Sequence, residues 1–154
     1  MPVDGSSNSH RAFNWFLKYD YRKSDFIIFL HVLQSKSSSS CNTVMALDNL
    51  VNIPVQSDSE PVSNGDAVLE KFRKLAEQAG VNFTVEALND SSVAEAILRL
   101  ASDLDANFIV VGSRGVSGVR RATLGSVSHY LVTHSSVPVL VVPSSSSSRS
   151  FTSA

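Results

Sequence analysis

A single cysteine, Cys41, stands in the 154 residues, so no disulfide can form within the chain and an oxidising compartment gains no support. Charge of one sign is also missing. The formal net charge is −1, which leaves no overall positive field to draw the chain onto nucleic acid or anionic membrane. No run approaches the roughly 18 apolar residues of a membrane span. The start, Met1-Pro2-Val3-Asp4-Gly5, carries neither the cationic nor the apolar stretch of a secretory leader, so the expected location is the cytoplasm. His10, His31, His129 and His134 are scattered, which predicts no zinc site. No Gly-Lys-Ser/Thr, Gly-x-Gly-x-x-Gly or Gly-x-Ser-x-Gly is present, which argues against a P-loop NTPase, a dinucleotide enzyme and a serine hydrolase with a nucleophile elbow.

What is present suits one globular core. Hydrophobic residues make up 43% of the chain and charged residues 18%, enough apolar surface to offset the entropy lost on folding. Arg11 to Lys18 has helical spacing. Phe26-Ile27-Ile28-Phe29-Leu30-His31-Val32 is the nearly unbroken apolar run of a strand covered on both faces. Residues 34–64, rich in Ser, Asn and Pro, read as a long connection. A helix is predicted over about 65–78, with Gly80 as its stop, and a strand over 81–88. Ser92 and Glu95 fit a capping box ahead of a third helix. A buried strand at 108–111, a helix at about 126–135 and a last strand at 137–142 complete the pattern. Trp15 and Tyr19 are expected to pack on the sheet.

This alternation predicts an α/β fold, an open parallel sheet with helices on both faces and right-handed crossovers. Residues 1–143 form the expected domain, and 144–154 a Ser-rich disordered tail.

The informative stretch is Val110-Val111-Gly112-Ser113-Arg114-Gly115, followed by Gly125-Ser126-Val127-Ser128. A strand enters a glycine loop and a helix leaves it. Glycines at 112 and 115 are expected to permit positive φ and close approach of N–H groups to a phosphate, and the helix start offers further unpaired donors. Taken alone, either half reads as a turned loop or a capped helix.

Together, Gly-x2-Gly-x9-Gly-Ser after a buried strand resembles the nucleotide-binding signature of the universal stress protein (UspA-like) family. Val3 to Ser9 is similar to the family's first turn, Leu30-His31-Val32 to its second strand end, and Val137 to Val142 to its last strand. The resemblance spans nearly all of residues 2–143. It implies a Rossmann-like, adenine nucleotide alpha hydrolase-like fold. It also implies that Pro2, Val3, Asp4 and Val32 hold the adenosine part of ATP, AMP or ADP. Gly112, Ser113, Arg114, Gly115, Gly125, Ser126, Val127 and Ser128 would hold ribose and phosphates, with Arg120 adding charge and Mg²⁺ as a possible companion. A homodimer through Val137 to Val142 is implied as well. The implied role is regulatory binding without a catalytic residue. The alternatives are a slow ATPase or autophosphorylating enzyme with Ser126 or Ser128 as acceptor, and a nucleotide-independent dimerisation or chaperone-like module.

The sequence departs from the family pattern at its beginning. A buried strand of five or six apolar residues would precede Pro2-Val3-Asp4 in the middle of a five-stranded sheet. Four or five such side chains, at roughly 2 kcal/mol each, amount to about 10 kcal/mol, comparable with the stability of a whole domain.

Overall fold

The structure is a computed structural model, and residues 1–34, 64–114 and 124–144 are described. The order is α1 (Ser7–Tyr19), β1 (Phe26–Gln34), α2 (Asn64–Ala79), β2 (Asn82–Asp90), α3 (Val93–Asp103), β3 (Ile109–Gly112), α4 (Ser126–His134) and β4 (Val139–Val142). The alternation read from the sequence is therefore present. Residues 35–63, the Ser-rich residues 145–154, Cys41, Gly115 and Arg120 lie outside the described residues.

All strand pairs are parallel, in two half-sheets. β1 pairs with β2 from Phe26↔Asn82 to Gln34↔Asp90, and β3 pairs with β4 from Ile109↔Val139 to Gly112↔Val142. Between them Met1–Val3 contributes a single bridge, Pro2↔Leu30. Leu30 N donates to Met1 O at 3.0 Å, Val3 N to Leu30 O at 2.8 Å and Met1 N to Ile28 O at 2.7 Å. Among the described residues no further strand pairing joins the two half-sheets, and Met1–Val3 lies along β1 at the seam between them.

Each half-sheet is covered on both faces, as the unbroken apolar run of β1 implied. Ile27, Phe29, Val110 and Val142 face a core built with Phe13 and Phe16 of α1 and Leu69, Phe72 and Ala76 of α2. Leu30, Ile109 and Val111 point to the opposite face, where Ile97 of α3 and Leu131 of α4 cover them. This is the period-2 alternation of strands. The first core is aromatic: Phe29 lies 5.1 Å from Phe13 and 5.3 Å from Phe72 between ring centroids. Edge-to-face and tilted pairs of this kind add about 0.5–1.5 kcal/mol each to area burial.

Local chemistry sets the element ends. Helix α1 begins four residues before the predicted Arg11, because Ser6 caps it by accepting from Ser9 N at 3.2 Å. Gly80 stops α2 with φ +65°, and Val81 N reaches back to Ala76 O at 3.2 Å, a Schellman-type closure. The expected capping box at α3 does not form. The Ser92 side chain makes no cap bond; Asp90 Oδ1 accepts from Ser92 N at 2.9 Å instead, and Glu95 Oε1 accepts from Tyr130 OH at 3.5 Å. β4 starts two residues later than predicted. Ser135 Oγ occupies Val137, donating to its carbonyl, and Pro138 has no N–H to give the ladder. Trp15 packs on the first core as expected. Tyr19 does not: it is 62% exposed, with Lys18 Nζ 5.0 Å from its ring centroid.

Candidate functional site at the carboxyl ends of the strands

At the carboxyl ends of β1 and β3 the seam opens into a cavity of about 340 Å³. Strand order changes here, which in open parallel sheets leaves a crevice bounded by strand ends and helix starts. Its walls come from Pro2–Asp4, the end of β1, two α3 residues, the end of β3 and the first turn of α4.

Glycine and serine chemistry shapes the β3–α4 wall. Gly112 is fully enclosed at the end of β3, and a Cβ there would stand 2.8 Å from the backbone oxygen of Asn8 in α1. The positive φ expected of Gly112 is not found: among the described residues the glycines with positive φ are Gly5 and Gly80. Its hydrogen side chain serves close approach of helix and strand. Past it, Ser113 ties the loop together. Gly125 N donates to Ser113 O at 2.7 Å, Ser128 Oγ donates to Ser113 O and to Gly125 O at 3.0 Å each, and Ser144 N donates to Ser113 Oγ at 2.9 Å. Ser128 is 2% exposed, so this clamp is buried.

The clamp fixes how α4 enters the cavity. Gly125 is its N-cap without a side-chain cap, and the first intrahelical bond is His129 N to Gly125 O at 2.8 Å. The N–H groups of Ser126, Val127 and Ser128 precede that bond, and all three residues line the cavity. Such first-turn donors, at the positive end of the helix dipole, suit an anion. A Cβ on Gly125 would lie 3.3 Å from the Cα of Arg114, so the loop and helix start are held close.

On the facing wall, Asp4 Oδ1 accepts from Ser6 N at 3.0 Å, and Gly5, at φ +76°, makes the turn that sends the chain into α1. His31 Nδ1 meets Val3 O at 2.7 Å, a second tie between Met1–Val3 and β1. A Cβ on Gly65 would stand 2.8 Å from His31 Cδ2, so that glycine lets the start of α2 close over the imidazole.

Pro2, Val3, Asp4, Val32, Gly112, Arg114, Gly125, Ser126, Val127 and Ser128 are thus brought to one cavity. Ser113 stands behind the wall and organises it. Gly115 and Arg120 lie outside the described residues. Sequence reasoning missed Ser9, Leu30, His31, Gln34, Val93, Ile97 and Val111 as lining residues. His31 had a signal, a lone polar residue inside the apolar run of β1. Val93 and Ile97 looked like ordinary core positions on α3. Among the described residues no His, Cys, Asp and Glu side chains gather as a metal cluster.

A parallel α/β domain with helix N–H donors at a strand-end crevice is a ligand-binding architecture of the Rossmann-like kind. Comparison with known proteins places it more closely. The model of the universal stress protein family matches residues 1–143, and the chain belongs to that family. The universal stress protein YxiE of Bacillus subtilis is 31% identical over 146 residues, covering 92% of this chain and 95% of its own length. A universal stress protein solved in complex with cAMP superimposes with a TM-score of 0.64 at 21% identity, covering 94% of each chain. A family member from Arabidopsis thaliana, solved with AMP bound, gives a TM-score of 0.56 at 22% identity, covering 87% of this chain and 76% of its own.

Proposed function

We propose that this chain is a regulatory binding protein for an adenine nucleotide, ATP or the related AMP and ADP. The supporting observation is the buried Ser113–Gly125–Ser128 clamp, which holds the first turn of α4 in the wall of a cavity lined on its other side by Asp4 and the end of β1. The phosphates would sit on Ser126 to Ser128 and on the loop of Gly112 to Arg114, joined by Gly115 and Arg120. The adenosine part would lie along Pro2 to Asp4 and Val32. The cavity volume falls in the range of small-molecule sites, about 300–1,000 Å³. Solved relatives carrying cAMP and AMP support the ligand class. Asp4 supplies a hard carboxylate oxygen of the type Mg²⁺ takes beside phosphate.

In this reading occupancy alters stability or partner choice during stress, in the cytoplasm, and the protein is a homodimer through the last strand. Among the described residues β4 pairs with β3 alone, which would leave its other edge for a second copy. An autophosphorylating or ATPase role for Ser128 has less support. Its hydroxyl donates to two carbonyl oxygens, and among the described residues no carboxylate or imidazole is bonded to it.

Calorimetric titration of the folded chain with ATP, ADP, AMP and cAMP, with and without Mg²⁺, tests the reading. Saturable binding is expected, abolished in Gly125→Val. A folded protein that gives no binding heat with any of the four would overturn it, and a dimer retained under those conditions would favour the nucleotide-independent module.

A further inference from the structure

The two sides of the carboxyl-end cavity differ in the hydrogen-bonding groups they contribute. On the α4 side stand Ser126, Val127 and Ser128, whose backbone N–H groups lie ahead of the first intrahelical bond and can only donate. On the facing side stand the Asp4 carboxylate, which only accepts, and the imidazole of His31. Imidazole is the one group here whose role is set by its partners.

Those partners fix it. The Val3 carbonyl oxygen, 2.7 Å from Nδ1, has no proton to give, so Nδ1 carries the N–H of this contact. A neutral imidazole has one N–H, which leaves Nε2 with its lone pair. Among the described residues Nε2 has no hydrogen-bond partner, and no buried side-chain nitrogen or oxygen is left without one, so solvent reaches Nε2. A Cβ on Gly65 would stand 2.8 Å from Cδ2 and 3.3 Å from Nε2, so that glycine keeps the space beside Nε2 free of a side chain. Turning the ring over would break the Val3 bond. His31 is therefore a held acceptor in the cavity wall.

We infer that His31 is a specificity-determining residue of this cavity, its Nε2 accepting a hydrogen bond from an N–H or O–H of the ligand's nucleoside end; the inference rests on the nucleotide reading above. Phosphate oxygens are acceptors, so they are repelled by the Nε2 lone pair and drawn to the donors of α4. The amino group of adenine and the hydroxyls of ribose are donors. The pair of walls thus sets which way round the nucleotide lies, and His31 penalises a nucleoside that lacks the donor it meets, because the acceptor is then left unpaired.

The test titrates the full chain with ATP, purine riboside triphosphate, 2′-deoxy-ATP and 3′-deoxy-ATP, each analogue lacking one donor, and repeats the series in His31→Asn. Asparagine keeps an amide N–H near the place of Nδ1 for the Val3 carbonyl and has no atom at Nε2. In the parent, one analogue should bind about fivefold more weakly than ATP. In His31→Asn, ATP should weaken by a similar factor and that analogue's deficit should vanish, which identifies the donor as the base amino group or one hydroxyl. On the parent alone, the ¹⁵N resonance of His31 Nε2 should move upfield at saturating ATP, as an unprotonated ring nitrogen does on accepting a hydrogen bond. Analogues that all match ATP, a deficit unchanged in His31→Asn, or an Nε2 resonance unmoved at saturation would overturn the inference and leave nucleotide binding standing. No binding of any of the four by the folded chain would overturn both.

Discussion

The two ends of one seam differ in how they are closed. At the carboxyl end, Met1–Val3 bonds Leu30, His31 bonds Val3, and the Ser113–Gly125–Ser128 clamp fixes the far wall. At the amino end the walls carry strand-edge backbone groups and exposed Phe26, Leu104 and Phe108. One bridge and a turn suffice to place Asp4, while the helices that flank each half-sheet supply the core.

The strongest way to break this picture is through that core. Phe29 is fully buried among Phe13, Phe72 and Phe83, so Phe29→Ala should cost about 3–5 kcal/mol in urea unfolding. A smaller loss would mean that the β1 half is loosely packed and that the seam, not the core, limits stability. Gly112→Ala comes next. Its Cβ would press on the Asn8 backbone at 2.8 Å, and α1 must shift from β3 at a cost of about 1–3 kcal/mol. Thermal melts check the cost, and a Gly112→Ala chain as stable as the parent would show that the two halves move independently.

Ser128→Ala sharpens the carboxyl-end account. Losing the bonds to Ser113 O and Gly125 O should cost about 1 kcal/mol and lower ATP affinity about tenfold, read by melts and calorimetry. Unchanged affinity would detach the clamp from the ligand. The smallest effect concerns pH. The Ser92 N–H and the Arg99 guanidinium hold the Asp90 carboxyl below its ordinary value. A carboxylate favoured by the fold contributes stability above its unfolded value near 4, and that contribution disappears as pH falls through the folded one. Arg99→Gln should therefore flatten the acid limb of the stability profile slightly, through a small loss of stability at neutral pH and none at pH values below the folded one.

Much of this was legible in the residues. The apolar run of β1, the helical spacing around Phe72 and Ile97 and the Gly80 stop are local patterns, and they gave elements of the right type and order. The Gly112–Ser128 stretch pointed to this cavity through its resemblance to the family signature, since either half alone reads as a turned loop or a capped helix. Other features depend on partners far along the chain. That Gly112 is required by Asn8, that His31 holds Val3, and that Glu95 reaches Tyr130 instead of the Ser92 N–H are contacts across folded elements. Ser6 as the start of α1 was readable in principle, since Ser before an apolar periodicity is a cap signal.

In the function proposed above, the carboxyl end of the seam, and not the amino end, binds nucleotide. Amide chemical shifts recorded during ATP titration test it most directly. Saturable shifts at Ser126, Val127, Ser128 and Val32, with Phe26, Ile28 and Phe108 unmoved, are the result expected. Shifts confined to the amino end, or none at Ser126 to Ser128 at saturating ATP, would contradict it.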